Sequence, residues 1–505
     1  MLAIVRSATL LGVRGTEVRV EVHVSPGLPG FTIVGLPDTS CREARDRVRA
    51  ALLSTGLKWP ETRTTVNLAP SGIRKVGCGL DLAIAVGVLV ATEQLPPSVC
   101  DSAYLGELGL DGTVRRLVGA VPLAAAIEPG ELVVAEENGE EAELVGRHVV
   151  RPVSTLRELV SCLAGDEPWS QVRRRAPAPA TVRSDLSEVR GNRTARFALE
   201  VAAAGGHHLL FVGPPGAGKT MLAERLGGIL EPLDDAAAIE VTTIHSAAGE
   251  TLPPGGLMRE PPFRAPHHTV SHVALVGGGS HTLRPGEISL AHGGVLFLDE
   301  MGEFGAVSLD ALRQPLEAGL VRISRAHASA TIPASFQLIA SMNPCPCGFA
   351  GGGPMACRCS AAALGRYARR VSGPLLDRFD LRLRVEATES RVLLDRDPGE
   401  PSAAVAARVA RARARARARG VPCNRFLPAG RLDEVAPLSL EAEQLLGGLL
   451  AAGRLSGRGL RRVRNVALTL DDLREGSGLL DADVVAQAVA LRADLRFGEA
   501  LGVAS

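Results

Sequence analysis

The sequence predicts an α/β chain whose central part is a doubly wound parallel sheet, preceded by an α+β portion and followed by a helical one. Three observations predict it. An apolar strand, His207 to Val212, runs into a glycine-rich loop and then a helix; the run Val295 to Leu298 ends in two carboxylates; and Phe336 to Ala340 ends in Ser-Met-Asn. Buried strands with polar ends, alternating with helices, are what a parallel α/β sheet requires.

With 505 residues the chain exceeds the size of one hydrophobic core, so more than one domain is expected. Residues 1–165 alternate short Val/Leu/Ile runs (Val18 to Val24, Leu132 to Ala135, His148 to Val150) with helical stretches (Arg42 to Leu53, Asp81 to Thr92), which reads as α+β. Residues 166–184 contain Arg173-Arg174-Arg175-Ala-Pro-Ala-Pro-Ala, a proline-punctuated linker. Residues 185–385 carry the strand–loop–helix pattern, and 386–505 turn helical. In that last part Arg408, Arg411, Arg413, Arg415, Arg417 and Arg419 recur at near-alternate positions. On a helix such spacing scatters charge around the cylinder, giving either a solvated helix or a nucleic-acid contact.

An apolar share of 46% with 22% charged residues and a net charge of +1 describes a globular chain and excludes a wholly basic coat protein. The longest apolar run, Leu82 to Ala91, is short of the roughly 18 residues of a membrane span, and Arg6 interrupts any signal-peptide core, so a cytoplasmic protein without membrane partners is expected. Of 56 basic residues only Lys58, Lys75 and Lys219 are lysines, so a lysine here marks a place that needs its chemistry.

Lys219 sits in Gly213-Pro214-Pro215-Gly216-Ala217-Gly218-Lys219-Thr220. Glycines let backbone N–H groups curl around phosphates at a helix start, the lysine supplies an ammonium to the β and γ phosphates, and the threonine hydroxyl serves Mg²⁺. This is a P-loop, and ATP with Mg²⁺ is the expected ligand pair. Asp299 is placed to hold Mg²⁺ and Glu300 to orient or deprotonate the attacking water. Asn343, at the end of the next strand, either bonds the γ-phosphate and the water or caps a loop. Arg378, between Asp377 and Asp380, is either an ion-pair partner or an arginine finger reaching a neighbouring subunit's γ-phosphate.

Further motifs make the pattern specific: Ala203-Ala-Gly-Gly-His-His-Leu-Leu, Pro262-Phe-Arg-Ala-Pro-His-His-Thr-Val-Ser271, Arg284-Pro-Gly-Glu-Ile-Ser-Leu-Ala-His292 and Asn343-Pro-Cys-Pro-Cys-Gly348. Over essentially its whole length the chain resembles the magnesium-chelatase-like AAA+ ATPases of the ComM/YifB group. The resemblance implies a homo-hexameric ring with ATP at subunit interfaces, Asn343 as sensor 1, Arg378 as the finger, and Arg458 of Ser456-Gly-Arg458 as a sensor 2 arginine in a C-terminal helical lid. It also implies a DNA motor, ComM-like, acting on single-stranded or branched DNA; the rival is a chelatase-type motor subunit driving Mg²⁺ insertion into porphyrin. The N-terminal portion resembles a Lon-protease-like fold. There the stretch matching the nucleophile turn reads Val76-Gly-Cys78-Gly-Leu-Asp81 and the stretch matching the catalytic lysine, Val118 to Pro122, has none, so proteolysis is not expected.

Two regions remain. Cys345, Cys347, Cys357 and Cys359 form two Cys-x-Cys pairs, suited to a structural Zn²⁺ or left as free thiols. Gly319 to Ile332 alternate around a polar tip and predict a β-hairpin, which in the resembling branch projects into the ring channel; Arg322, Arg325 and His327 then meet DNA phosphates, or are ordinary surface residues.

Overall fold

A computed structural model describes residues 1–176, 184–279, 283–325, 328–350, 355–387, 391 and 399–493. The N-terminal part is a mixed seven-stranded sheet. Its first strands are β1 (Leu2–Leu11), β2 (Arg14–Ser25), β3 (Gly30–Val34), β4 (Arg63–Ala69) and β5 (Ala103–Leu105). A short ladder of β6 (Glu107–Leu108) with β7 (Val114–Arg115) follows, then β8 (Gly130–Ala135) and β9 (His148–Val153), giving the sheet order β3-β4-β2-β1-β5-β8-β9. Alternation sets its inner face: Val18, Val20 and Val22 are fully buried. The helix Asp81–Ala91 is apolar all round and accordingly buried all round, packed on β1, β2 and the helix Thr39–Ser54.

The second sheet uses β10 (Leu209–Val212), β11 (Phe263–Arg264), β14 (Val295–Leu298), β17 (Gln337–Met342) and β18 (Leu381–Arg384) in the order β11-β14-β17-β10-β18, every pairing parallel. Outside it lie the two-residue ladder β12 (Gly277–Gly278) with β13 (Arg284–Pro285) and the hairpin β15 (Leu320–Arg325) with β16 (Ala328–Pro333). Leu209 and Phe211 face one core while Leu210 and Val212 face another, and Val295 and Phe297 divide from Leu296 and Leu298 in the same way. Burial on both faces is why these strands read as unbroken apolar runs.

The C-terminal helices share the Phe211 side of the sheet: Val405, Val409, Ala412 and Ala416 of the helix Ser402–Ala418, with Val463 and Val466 of the helix Gly457–Leu473, join that core. The arginines of Ser402–Ala418 scatter because each meets a different partner. Arg408 pairs with Glu200 and Glu400, Arg411 with Glu475, Arg415 with Asp472 and Arg417 with Glu231; Arg413 donates to the Ala203 carbonyl, and Arg419, just past the helix, pairs with Asp472. Of the two readings of this segment, the geometry favours neither a bare solvated helix nor an open basic surface: these guanidiniums fasten the helix to its neighbours.

The N-terminal unit rests on the sheet-bearing unit. Val121 N–H donates to Ser246 Oγ at 3.3 Å, Ser246 Oγ to Glu141 at 3.1 Å, and Gly255 N–H to Glu140 at 2.8 Å. Val13, at the β1–β2 turn, shares a core with Val321, Ile323 and Ile332 of the hairpin. Among the described residues no helix is long and apolar enough to cross a membrane.

Candidate functional site

Parallel register brings the strand ends together. Val212 pairs with Met342 and Leu298 with Ala340, so the loop at Gly213, the Asp299-Glu300 pair and Asn343 emerge at one edge of the sheet, the carboxyl edge where α/β folds place ligands. Gly213 donates its N–H to the Met342 carbonyl at 3.2 Å, and a Cβ at this position would lie 2.0 Å from the Val385 carbonyl oxygen, so only glycine lets the loop leave the sheet here. Pro214, Pro215, Gly216, Ala217 and Gly218 continue the turn, and the helix Lys219–Glu224 follows at once.

Lys219 Nζ donates to the Gly213 and Pro214 carbonyls, both at 2.8 Å, and to Asn343 Oδ1 at 3.1 Å. Burial lowers its pKa, against the opposing pull of Asp299 and Glu300. Thr220 Oγ1 donates to Asp299 Oδ2 at 2.8 Å, which sets two hard oxygens side by side, a fit for Mg²⁺. Ser341 Oγ donates to the other Asp299 oxygen and fixes that carboxylate. Glu300 is half-exposed and sits in left-handed backbone at φ 50°, unusual for a non-glycine residue and a mark of a functional site. The Glu300 carboxylate lies 3.5 Å from His268 Nδ1, and the His268 ring stacks on His267 at 4.0 Å. His268 belongs to the Pro-His-His motif, whose place beside Glu300 the sequence reading left without a role.

Arg378 and Arg458 lie at the other edge. Both line a cavity of about 380 Å³ with Arg425, Arg461, Arg462 and Glu317, under the amino ends of β10, β17 and β18. Arg378 is buried with its guanidinium on Glu317, and burial first, then Arg462 and Arg458, lower its pKa. Of the two roles foreseen for it, the chain itself supplies the ion pair, within a buried wall and not on the surface. Asp380 anchors the wall, accepting from His208 N–H at 2.9 Å and from Arg462. Arg425, Arg461 and Arg462 escaped the sequence reading because arginine is too common in this chain to signal anything.

The four cysteines converge. Their sulfurs lie within 4.8 Å of one another, with separations of 3.3, 3.8 and 3.6 Å for the pairs Cys345–Cys347, Cys345–Cys357 and Cys347–Cys357. Zn–S bonds of about 2.3 Å in a tetrahedron place sulfurs roughly 3.8 Å apart, so the four thiols, Cys359 included, fit that metal. On the hairpin, Val321 and Ile323 are buried while Arg322 points to solvent. The Arg325 side chain and His327 lie outside the described residues. In the N-terminal unit burial first, and then the Glu107 carboxylate, push the Cys78 thiol up to about 12, the wrong direction for a nucleophile. Lys75 is fully buried.

Three family profiles cover most of the chain. "Subunit ChlI of Mg-chelatase" matches residues 20–138, "Magnesium chelatase, subunit ChlI" residues 185–393, and "Magnesium chelatase, subunit ChlI C-terminal" residues 399–492. The chain is 41% identical over 497 residues to YifB of Escherichia coli, an uncharacterized protein, covering 97% of each chain. It is 43% identical over 502 residues to an uncharacterized protein of Mycobacterium tuberculosis, covering 96% of this chain and 97% of that one. It is 42% identical over 504 residues to the competence protein ComM of Haemophilus influenzae, covering 98% of each.

Proposed function

The chain belongs to the magnesium-chelatase-like AAA+ ATPases, in the group of YifB and ComM, and on that premise we propose that it is a ring-forming motor that couples ATP hydrolysis to movement on single-stranded or branched DNA in the cytoplasm. The observation that carries the ATPase reading is the convergence of Lys219, Thr220, Asp299, Glu300 and Asn343 at one sheet edge. In this reading Lys219 and the P-loop amides bind the phosphates, Glu300 takes the proton of the attacking water, and Asn343 orients it. Thr220 and Asp299 hold Mg²⁺, which when bound neutralises charge on the β and γ phosphates. Arg378 and Arg458, at the far edge, serve the nucleotide of the next subunit, which makes the hexamer part of the site. Residues 1–165 form a non-proteolytic Lon-protease-like unit, 166–184 a linker, 185–385 the ATPase core and 386–505 a helical lid, and the cysteine quartet holds a structural Zn²⁺.

The DNA half is supported by the competence name of one relative and by Arg322 on the solvent face of the hairpin. The chelatase-type alternative shares the same nucleotide parts and is favoured by the wording of the family profiles. ATP turnover separates them. Forked or single-stranded DNA should stimulate turnover at about 50 mM salt and lose that effect by about 200 mM, as screened phosphate contacts do. Replacing Arg322 and Arg325 by Ala should abolish the stimulation and leave basal turnover in place. Stimulation by porphyrin with indifference to every DNA would transfer the assignment to the chelatase-type motor.

A further inference from the structure

The cysteine loop touches three separate parts of the nucleotide site. It begins two residues beyond Asn343, whose Oδ1 receives the Lys219 ammonium. Cys345 is fully buried, and its carbonyl accepts the Gly348 N–H at 3.0 Å in a tight turn with Gly348 at φ 86°. That turn lies on the P-loop: a Cβ at Gly348 would sit 2.5 Å from Pro215 Cδ and 2.8 Å from its Cγ. Just past Cys359, Ser360 caps the helix Ala361–Arg370. Tyr367 of that helix is buried, donates its hydroxyl to the Asn343 carbonyl at 3.0 Å, and presses its ring on Gly302, two residues past Glu300. Arg370 donates to the Gly302 carbonyl at 2.8 Å and to Glu303 at 2.6 Å.

Both ends of the loop that a metal would close therefore brace the site: the first end on Pro215 and Asn343, the second on Asn343 and the segment after Glu300. A metal clip removes the freedom of the loop between its ligands, and that order passes to whatever the ends touch. We infer that metal occupancy of Cys345, Cys347, Cys357 and Cys359 sets nucleotide affinity, with Gly348 and Tyr367 as the positioning residues that connect the two sites. The inference rests on the Zn²⁺ reading above and adds a thiol-held control on ATP binding. Linkage makes the coupling reciprocal, so bound nucleotide holds the metal more firmly by the same factor.

Full-length protein, zinc-loaded and then stripped under reducing conditions, is titrated with a fluorescent ADP analogue, and zinc release to a coloured chelator is timed with and without ADP. Roughly tenfold weaker nucleotide binding after stripping is expected, together with release about tenfold slower when ADP is bound, within the usual range of coupling between sites. Gly348→Ala, which crowds Pro215, and Tyr367→Phe, which removes only the bond to Asn343, should keep one zinc per chain and bind ADP several-fold more weakly. These two variants carry the test should stripping unfold the chain. A chain that takes up no zinc overturns the zinc reading and this inference with it. Zinc uptake with unchanged nucleotide affinity in the stripped protein and in both variants overturns the inference alone.

Discussion

The two edges of the parallel sheet are built in opposite ways. At the carboxyl edge the groups are few and short-range: Asp299, Glu300 and Asn343 lie within two residues of a strand end, and Lys219 and Thr220 follow β10 across one short glycine loop. At the amino edge five arginines from three distant segments crowd around Glu317 and the buried Asp380. The four residues of β10 separate the edges by roughly 13 Å at the usual rise per residue. Within one chain Lys219 and Arg378 therefore sit on opposite edges of the sheet. In the proposed assembly the two edges meet head to tail across subunits, a contact that closes into a ring where the rotation between neighbours closes.

The largest expected effect comes from breaking that division. Arg378→Ala should lower ATP turnover by about 10³ or more in assembled protein, the scale of a lost arginine finger, with nucleotide binding retained. Mixed in equal amounts with Lys219→Ala chains, themselves inactive, it should recover roughly a quarter of wild-type turnover, since one interface in four then joins two intact halves. A mixture as inactive as its components would place both edges on the same nucleotide. Next, Glu300→Gln should cut turnover by about 10²- to 10⁴-fold while ATP still binds; phosphate release set against equilibrium binding reads both.

A structural test of the amino edge comes third. Asp380→Asn leaves Arg462 in the wall without its carboxylate, at about 3–5 kcal/mol in denaturant unfolding. The pH dependence has a definite sign. Burial raises the Asp380 pKa, His207 and then Arg462 lower it, and the lowering prevails. Its stabilisation is therefore complete above the unfolded value of about 3.9 and is lost as pH falls through the lower folded value, so the substitution should blunt acid unfolding below about pH 4. Smallest of all, Arg411→Ala breaks an exposed pair with Glu475 and should cost under about 1 kcal/mol, showing that the density of arginine in its helix is not itself a measure of stability.

The same contrast explains what could be read from the sequence. Gly213 to Thr220, Asp299-Glu300 and Asn343 were legible because each is a local motif at the end of an apolar run, and the register of three parallel strands does the rest. The alternation that marks β2, the apolar-all-round helix Asp81–Ala91 and the hairpin Leu320–Pro333 was legible for the same reason. The arginine wall was not, since Arg378, Arg425 and Arg458 to Arg462 meet only through tertiary packing. His268 was visible as part of a motif but not as the neighbour of Glu300, because β11 and β14 are joined by pairing and not by sequence. The partners of Arg408 to Arg419 were equally out of reach, lying, Glu400 apart, on segments far away in sequence, around residues 200, 231 and 472.

Glu300 carries a last consequence in its backbone. Left-handed φ costs a residue with a Cβ about 1 kcal/mol or more, a cost glycine does not bear. A glycine at this position would relax the turn and yield a protein somewhat harder to melt and, given the role proposed for Glu300, one without the base for its attacking water. Selection for robustness alone would therefore drift away from the working enzyme at this residue, and a thermostability screen blind to turnover would collect inactive chains.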